Sequence, residues 1–237
     1  MLARIIRKRS GQHEGESPFW ISFSDLMSAL MVLFLVVMAV TLVAITQSMD
    51  AATQANVERS NAINQIMSLI ATDPQSVSAG VGVDQQNYRI DLGKEVRFGF
   101  NSAEITQPAG QFLRSYIPVL LKVKDTPEGR RWIRSVVVEG YTDEQGDYLP
   151  NLRLSLERSR SVVCALFHGA EGGDGLTVAQ LRKVQELFLV GGYSFNSIKS
   201  DPAESRRVEF KIDFWGVDEK QPEVSSAIKD KGFGKCA

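Results

Sequence analysis

Hydrophobic positions along the 237-residue chain fall into three regimes. From Leu26 to Met49 no side chain carries a charge, and the run is bounded by Asp25 and Asp50. A lipid span needs about 20 apolar residues at about 1.5 Å rise each, and Leu26 to Ile45 supplies them with Ser28 and Thr41 as the hydroxyl interruptions. Apolar character already begins at Phe19, so the predicted membrane helix covers residues 19–45. Residues 46–72 are Ala-rich and carry Ile63, Ile66, Met67 and Ile70 at three- and four-residue spacings, the stripe of an amphipathic helix. That stripe is expected to pair with another helix, the other outcome being that it packs on its own domain. Asp73-Pro74 ends the helix, and residues 46–80 are assigned to a linker.

From residue 81 strands alternate with helices. Tyr88–Leu92, Ile133–Tyr141 and Phe188–Tyr193 read as strands, the second with Val136, Val137 and Val138 adjacent, as in a central strand. Val208, Phe210, Ile212 and Phe214 alternate with Glu209, Lys211 and Asp213 in period two. Thr106–Lys124, Leu152–Phe167 and Thr177–Leu187 read as helices. The pattern predicts an α/β (α+β) sandwich over residues 81–216, one sheet with helices mainly on one face. Residues 217–237 are polar and expected to be a poorly ordered tail.

Charge changes the picture only locally. The 27 basic and 28 acidic residues leave a net charge of -1, which excludes a chain-wide nucleic-acid footprint. Arg4, Arg7, Lys8 and Arg9 precede the span, whereas Asp50 and Glu58 follow it. The excess of positive charge places the tail 1–18 in the cytoplasm and the remainder, in a bacterial inner-membrane protein, in the periplasm. A cleaved signal peptide would have a shorter apolar core and no acid at its entrance. An oxidising compartment permits Cys164 and Cys236 to pair; the other reading is a core thiol and a free tail thiol. With no CxxC, and with His13 and His168 on opposite sides of the membrane, neither a metal site nor a cofactor is expected.

Asp25 is the one residue of the apolar helix that needs a reason. An acid at bilayer centre costs about 2.5–3.5 kcal/mol on insertion scales. Desolvation favours the neutral form of a carboxyl, so a proton can neutralise such a group and leave again on reaching water. The segment Trp20-Ile-Ser-Phe-Ser-Asp25-Leu-Met-Ser-Ala-Leu-Met-Val-Leu-Phe-Leu resembles the membrane helix of flagellar motor stator B subunits. The resemblance implies that Asp25 carries the proton. It also implies that a separate multi-helix A subunit, in five copies around a dimer of this chain, completes the channel.

A second resemblance covers Val136-Val-Val-Glu-Gly-Tyr141-Thr142-Asp143 and Asn151-Leu-Arg-Leu154-Ser-Leu-Glu-Arg158, with Phe100-Asn-Ser-Ala upstream and Ser205-Arg-Arg-Val-Glu-Phe210 downstream. These are similar to the peptidoglycan-binding domain of the OmpA/flagellar-stator class. The implied site is Tyr141, Thr142, Asp143, Asn151, Leu154 and Arg158. The chemistry suits a stem peptide: Asp143 for an ammonium, Arg158 as a planar fork for a carboxylate, Leu154 for an apolar stem. Taken singly, Asp143 could cap a loop, Asn151 a helix, and Arg158 could face solvent. Alanine at Asp143 or Arg158 is expected to weaken wall binding while the domain still folds. Asp143 and Glu144 are adjacent acids, but no nucleophile accompanies them, so an enzyme is not expected. Pro150 before Asn151, the long segment 171–187, Gly192-Tyr-Ser-Phe and the tail depart from the class. The short tether and small cytoplasmic tail are most similar to the B subunit of the Zorya anti-phage defence system. That likeness implies a wall-anchored motor acting in defence, with flagellar torque generation or a passive wall anchor as the alternatives.

Overall fold

The computed structural model describes residues 17–168, 175–222, 232–234 and 236. The predicted cytoplasmic tail 1–18 lies almost wholly outside them. The chain divides into two units, Met1–Gln54 and Ala55–Ala237.

In the first unit, helix α1 (Ser17–Thr72) begins. Every side chain from Trp20 to Gln54 is exposed, and from Leu26 to Ile45 that surface is apolar apart from Ser28 and Thr41. By length and composition α1 is the one helix among the described residues able to cross a membrane. Ser28 and Thr41 donate to the carbonyls of Ser24 and Val37, each at 2.7 Å. Both hydroxyls are thereby satisfied within the helix, as lipid requires.

The second unit takes in the last turns of α1, then α2 (Pro74–Ser78), β1 (Gly82–Asp84), β2 (Arg89–Asp91), α3 (Gln107–Lys124), α4 (Pro127–Trp132) and β3 (Ile133–Gly140). After these come α5 (Tyr148–Phe167), α6 (Val178–Leu187), β4 (Phe188–Gly192), α7 (Pro202–Ser205) and β5 (Val208–Phe214). The sheet runs β1-β2-β5-β3-β4; β3 and β4 are parallel and the other pairs antiparallel. The expected α+β sandwich is what forms. Val136, Val138, Phe210, Ile212 and Ile90 enter one core with Leu113, Ile117, Val162 and Leu166 from α3 and α5. On the other side of the strands the alternation brings Glu139 opposite Glu209 and Val137 opposite Lys211.

Three expectations need correction. Ile63, Ile66, Met67 and Ile70 are buried in this same core, so the stripe packs on its own domain and presents no face to a second helix. The linker therefore stops short of residue 80: residues from Ala55 on belong to the folded unit, where Arg59 also donates to the Trp215 carbonyl at 2.6 Å. The described tail residues are tied down. Gln221 donates to the carbonyls of Arg130 and Arg131, Phe233 packs on Phe167 at 5.1 Å, and Cys236 is joined to Cys164 by a disulfide.

Candidate functional site

The site begins where β3 ends. Gly140 is required there, because a Cβ would lie 2.0 Å from the Ser155 carbonyl oxygen; its absence lets α5 lie directly on the strand. Ser155 then receives the N–H of Ser194 at 3.1 Å, and Ser159 donates to the Gly191 carbonyl at 2.8 Å. These bonds fix α5 over the ends of β3 and β4, which sets the position of Arg158.

Arg158 is fully buried. Its Nε donates to the Ser102 carbonyl at 2.9 Å, Nη1 to Tyr141 at 2.7 Å and Nη2 to Gly99 at 3.1 Å, with the Phe98 ring 5.2 Å from the guanidinium carbon. The guanidinium thus binds the turn 99–102, where Asn101 has a positive φ of 48°, to the end of β3. Burial lowers its pKa to about 10, with Asp143 opposing and Arg206 adding to the shift, so it stays charged at neutral pH. Sequence reasoning expected an open fork. The structure instead uses each nitrogen once on the main chain, leaving a second N–H on each terminal nitrogen.

Asp143 is buried beside it and already has a cation: Arg206 Nη1 lies 2.8 Å from its Oδ2. Its Oδ1 accepts the Gln145 N–H at 3.3 Å. Asn151 stands within α5, whose N-cap is Asp147, and donates to the carbonyls of Gln145 and Asp147 at 2.8 and 3.1 Å. It braces the loop 143–147 instead of capping the helix. Thr142 is buried, and its Oγ1 has no hydrogen-bond partner among the described residues. Leu154 is half-buried and lines a separate groove of about 510 Å³ with Asn101, Leu149, Pro150, Arg153 and Glu157.

Asp143, Thr142, Asn151 and Arg158 therefore gather around one loop and one turn, and Leu154 opens on the far side of that turn. The Tyr141 side chain does not join them. Its hydroxyl donates to Glu139 at 2.8 Å and also meets Arg89, while Arg207 stacks on its ring at 4.4 Å. Burial pushes this phenol above its ordinary range. Arg89 bridges Glu139 and Glu209 at 2.5 and 3.0 Å, and Arg207 holds Glu209 at 2.6 Å. Sequence reasoning missed this closed quartet of charges and the Arg206 partner of Asp143. The available signal was Arg206-Arg207 at the entry to a period-two strand: neighbouring side chains there go to opposite sides.

In the first unit Asp25 shares one flank of α1 with Ser28, Ala29, Val32, Leu33 and Val36. It is the one ionisable side chain between Glu16 and Asp50.

Residues 6–54 match the family described as the membrane MotB of proton-channel complex MotA/MotB. Over 215 residues the chain is 36% identical to the Zorya protein ZorB of Escherichia coli O139:H28, covering 90% of this chain and 87% of that one. A second Zorya protein ZorB, from the Crooks strain of Escherichia coli, is 28% identical over 231 residues, with coverages of 89% and 94%. Among solved structures, the periplasmic domain of Helicobacter pylori MotB matches at 16% identity and a TM-score of 0.39, over 55% of this chain and 78% of that one. The OmpA-like domain of FopA1 from Francisella tularensis matches at 15% and 0.36, over 57% and 82%. Both structural likenesses are remote.

Proposed function

The chain belongs to the ZorB family of stator B-type subunits, and from that premise we propose that it is the wall-anchored, proton-conducting subunit of a motor acting in anti-phage defence. Asp25 is the observation that carries the reading: a lone carboxyl on the small-residue flank of the otherwise uncharged span 19–45, within the segment that matches a proton-channel subunit. It takes a proton from one side and releases it to the other, and each charge that crosses yields about 2.3 kcal/mol per 100 mV. One helix cannot form a channel by itself; the resemblance to flagellar stator B subunits implies that five copies of a multi-helix A subunit surround a homodimer of this chain in the inner membrane. The basic N-terminus faces the cytoplasm and the folded domain the periplasm.

Peptidoglycan binding is an exchange of partners in this reading. The stem-peptide ammonium takes Asp143, and Arg206, released, meets the peptide carboxylate; the residual N–H groups of Arg158 lie behind them. Leu154 and its groove receive the apolar stem.

Asp25→Asn keeps the shape and removes the titrating proton. Co-expressed with its A partner, the variant should insert at normal levels and give no protection from phage. Full protection by Asp25→Asn would end the proton-carrier reading and leave a passive anchor.

A further inference from the structure

Once the 63–70 stripe is buried in its own core, the folded unit needs another surface for the second copy, and β4 supplies one. It is an edge strand. Natural proteins blunt such edges with charge, proline, bulges or extreme shortness. The opposite edge follows that rule: β1 has three residues and ends on Asp84. The segment Phe188 to Tyr193 contains no charge and no proline, and Leu189 and Val190 are 55% and 49% exposed on the two sides of the strand.

The main-chain direction of β4 follows from one bond. The Tyr193 N–H donates to the Gly140 carbonyl at 3.0 Å, toward β3. Main-chain groups of alternate residues point to alternate edges, so those of Leu189 and Gly191 face β3 and those of Val190 face outward, with no strand beside them among the described residues.

We infer that the β4 edge binds the β4 of a second copy of this chain, antiparallel, with the two-fold axis at Val190. In that register Val190 exchanges both main-chain bonds with its counterpart, and Leu189 falls opposite Gly191 of the other copy. Gly191 has no side chain, and the space above it is bounded by the Tyr193 ring, which gives Leu189 an apolar floor. On the helix side, exposed Leu156 sits against Gly192, which falls opposite Phe188 of the copy and diagonal to its Val190. An uncharged strand is self-complementary, because two identical edges bring no like charges together.

The inference rests on the homodimer proposed above, and its test separates the two. The full chain is expressed with its A partner, and single cysteines are crosslinked in native membranes: Val190→Cys at the edge, a series over Val36 to Val43 of α1, and Lys122→Cys on α3 as control. Val190→Cys should give a crosslinked dimer at least tenfold above the control, and adding Leu189→Lys should reduce it at least fivefold. Retained thermal unfolding of the doubly substituted chain shows that the fold is intact. Crosslinking in the α1 series without crosslinking at Val190 overturns the β4 interface and leaves the homodimer. No crosslinking at either overturns both. A Val190→Cys product of a mass other than two copies shows that a different protein occupies the edge, and overturns the inference.

Discussion

Arg158 directs its donors to the carbonyls of Gly99, Ser102 and Tyr141, so removing it strands the buried Tyr141 acceptor and unties the turn 99–102 from the end of β3. Each buried group left without a partner costs about 1–3 kcal/mol. Arg158→Ala should therefore lower the unfolding free energy by several times the effect of an average surface substitution, leaving a domain that folds with a smaller margin. Wall binding lost in that variant would say little about recognition. Asp143→Asn is the cleaner probe, because the amide keeps an oxygen for the Gln145 N–H and loses only the charge that Arg206 neutralises. It should reduce retention of the chain on purified sacculi with a melting temperature close to wild type. Unchanged retention would remove Asp143 from the binding site, whatever the fate of Arg158→Ala.

At the end of α1, Ile66 is fully buried while Leu69, three residues on, is 42% exposed. Truncating a core isoleucine to alanine costs about 2–5 kcal/mol, whereas an exposed leucine away from partners costs about 0.5 kcal/mol or less. Denaturant unfolding should show that contrast between Ile66→Ala and Leu69→Ala, and equal effects would mean that this stretch is not part of the core. The same stripe shows how far the chain could be read. Period tells that one helix face is buried but not against what, so the stripe was legible and its partner was not. β3 and β5 stood out because valine runs and strict alternation suit a central strand and its neighbour. Helix α4 did not, since the six residues Pro127–Trp132 span too few turns to show a period. Helix α5 was expected from Leu152, yet it begins at Tyr148 and takes in Pro150, because proline fits a first turn whose N–H groups lack helical acceptors. Asp143, Asn151 and Arg158 were placed by motif spacing. Arg206 was not, because its partner lies 63 residues away and the alternation of Arg206 and Arg207 tells that they go to opposite sides but not what each meets.

For the whole molecule, the covalent link between Cys164 and Cys236 bears on topology as well as stability. It closes a separation of 72 residues, and in the chain-entropy account a loop of that size is worth about 4 kcal/mol through the unfolded state. Other described residues of the C-terminal segment are held as well: Gln221 by the α4 carbonyls, and Phe233 by Phe167 and by the Arg182 guanidinium, 4.5 Å from its ring. Such a bond persists only in an oxidising space, so its state in the cell reports on which side of the membrane the folded unit stands. Membranes quenched with a thiol-alkylating reagent before lysis should yield chain with both cysteines protected, each becoming reactive only after reduction. The purified chain should then unfold at a lower temperature in reductant, and Cys236→Ser should reproduce that loss without reductant. If both thiols are alkylated in the cell while the chain still protects from phage, the domain does not occupy an oxidising compartment, and the orientation with a cytoplasmic N-terminus is wrong.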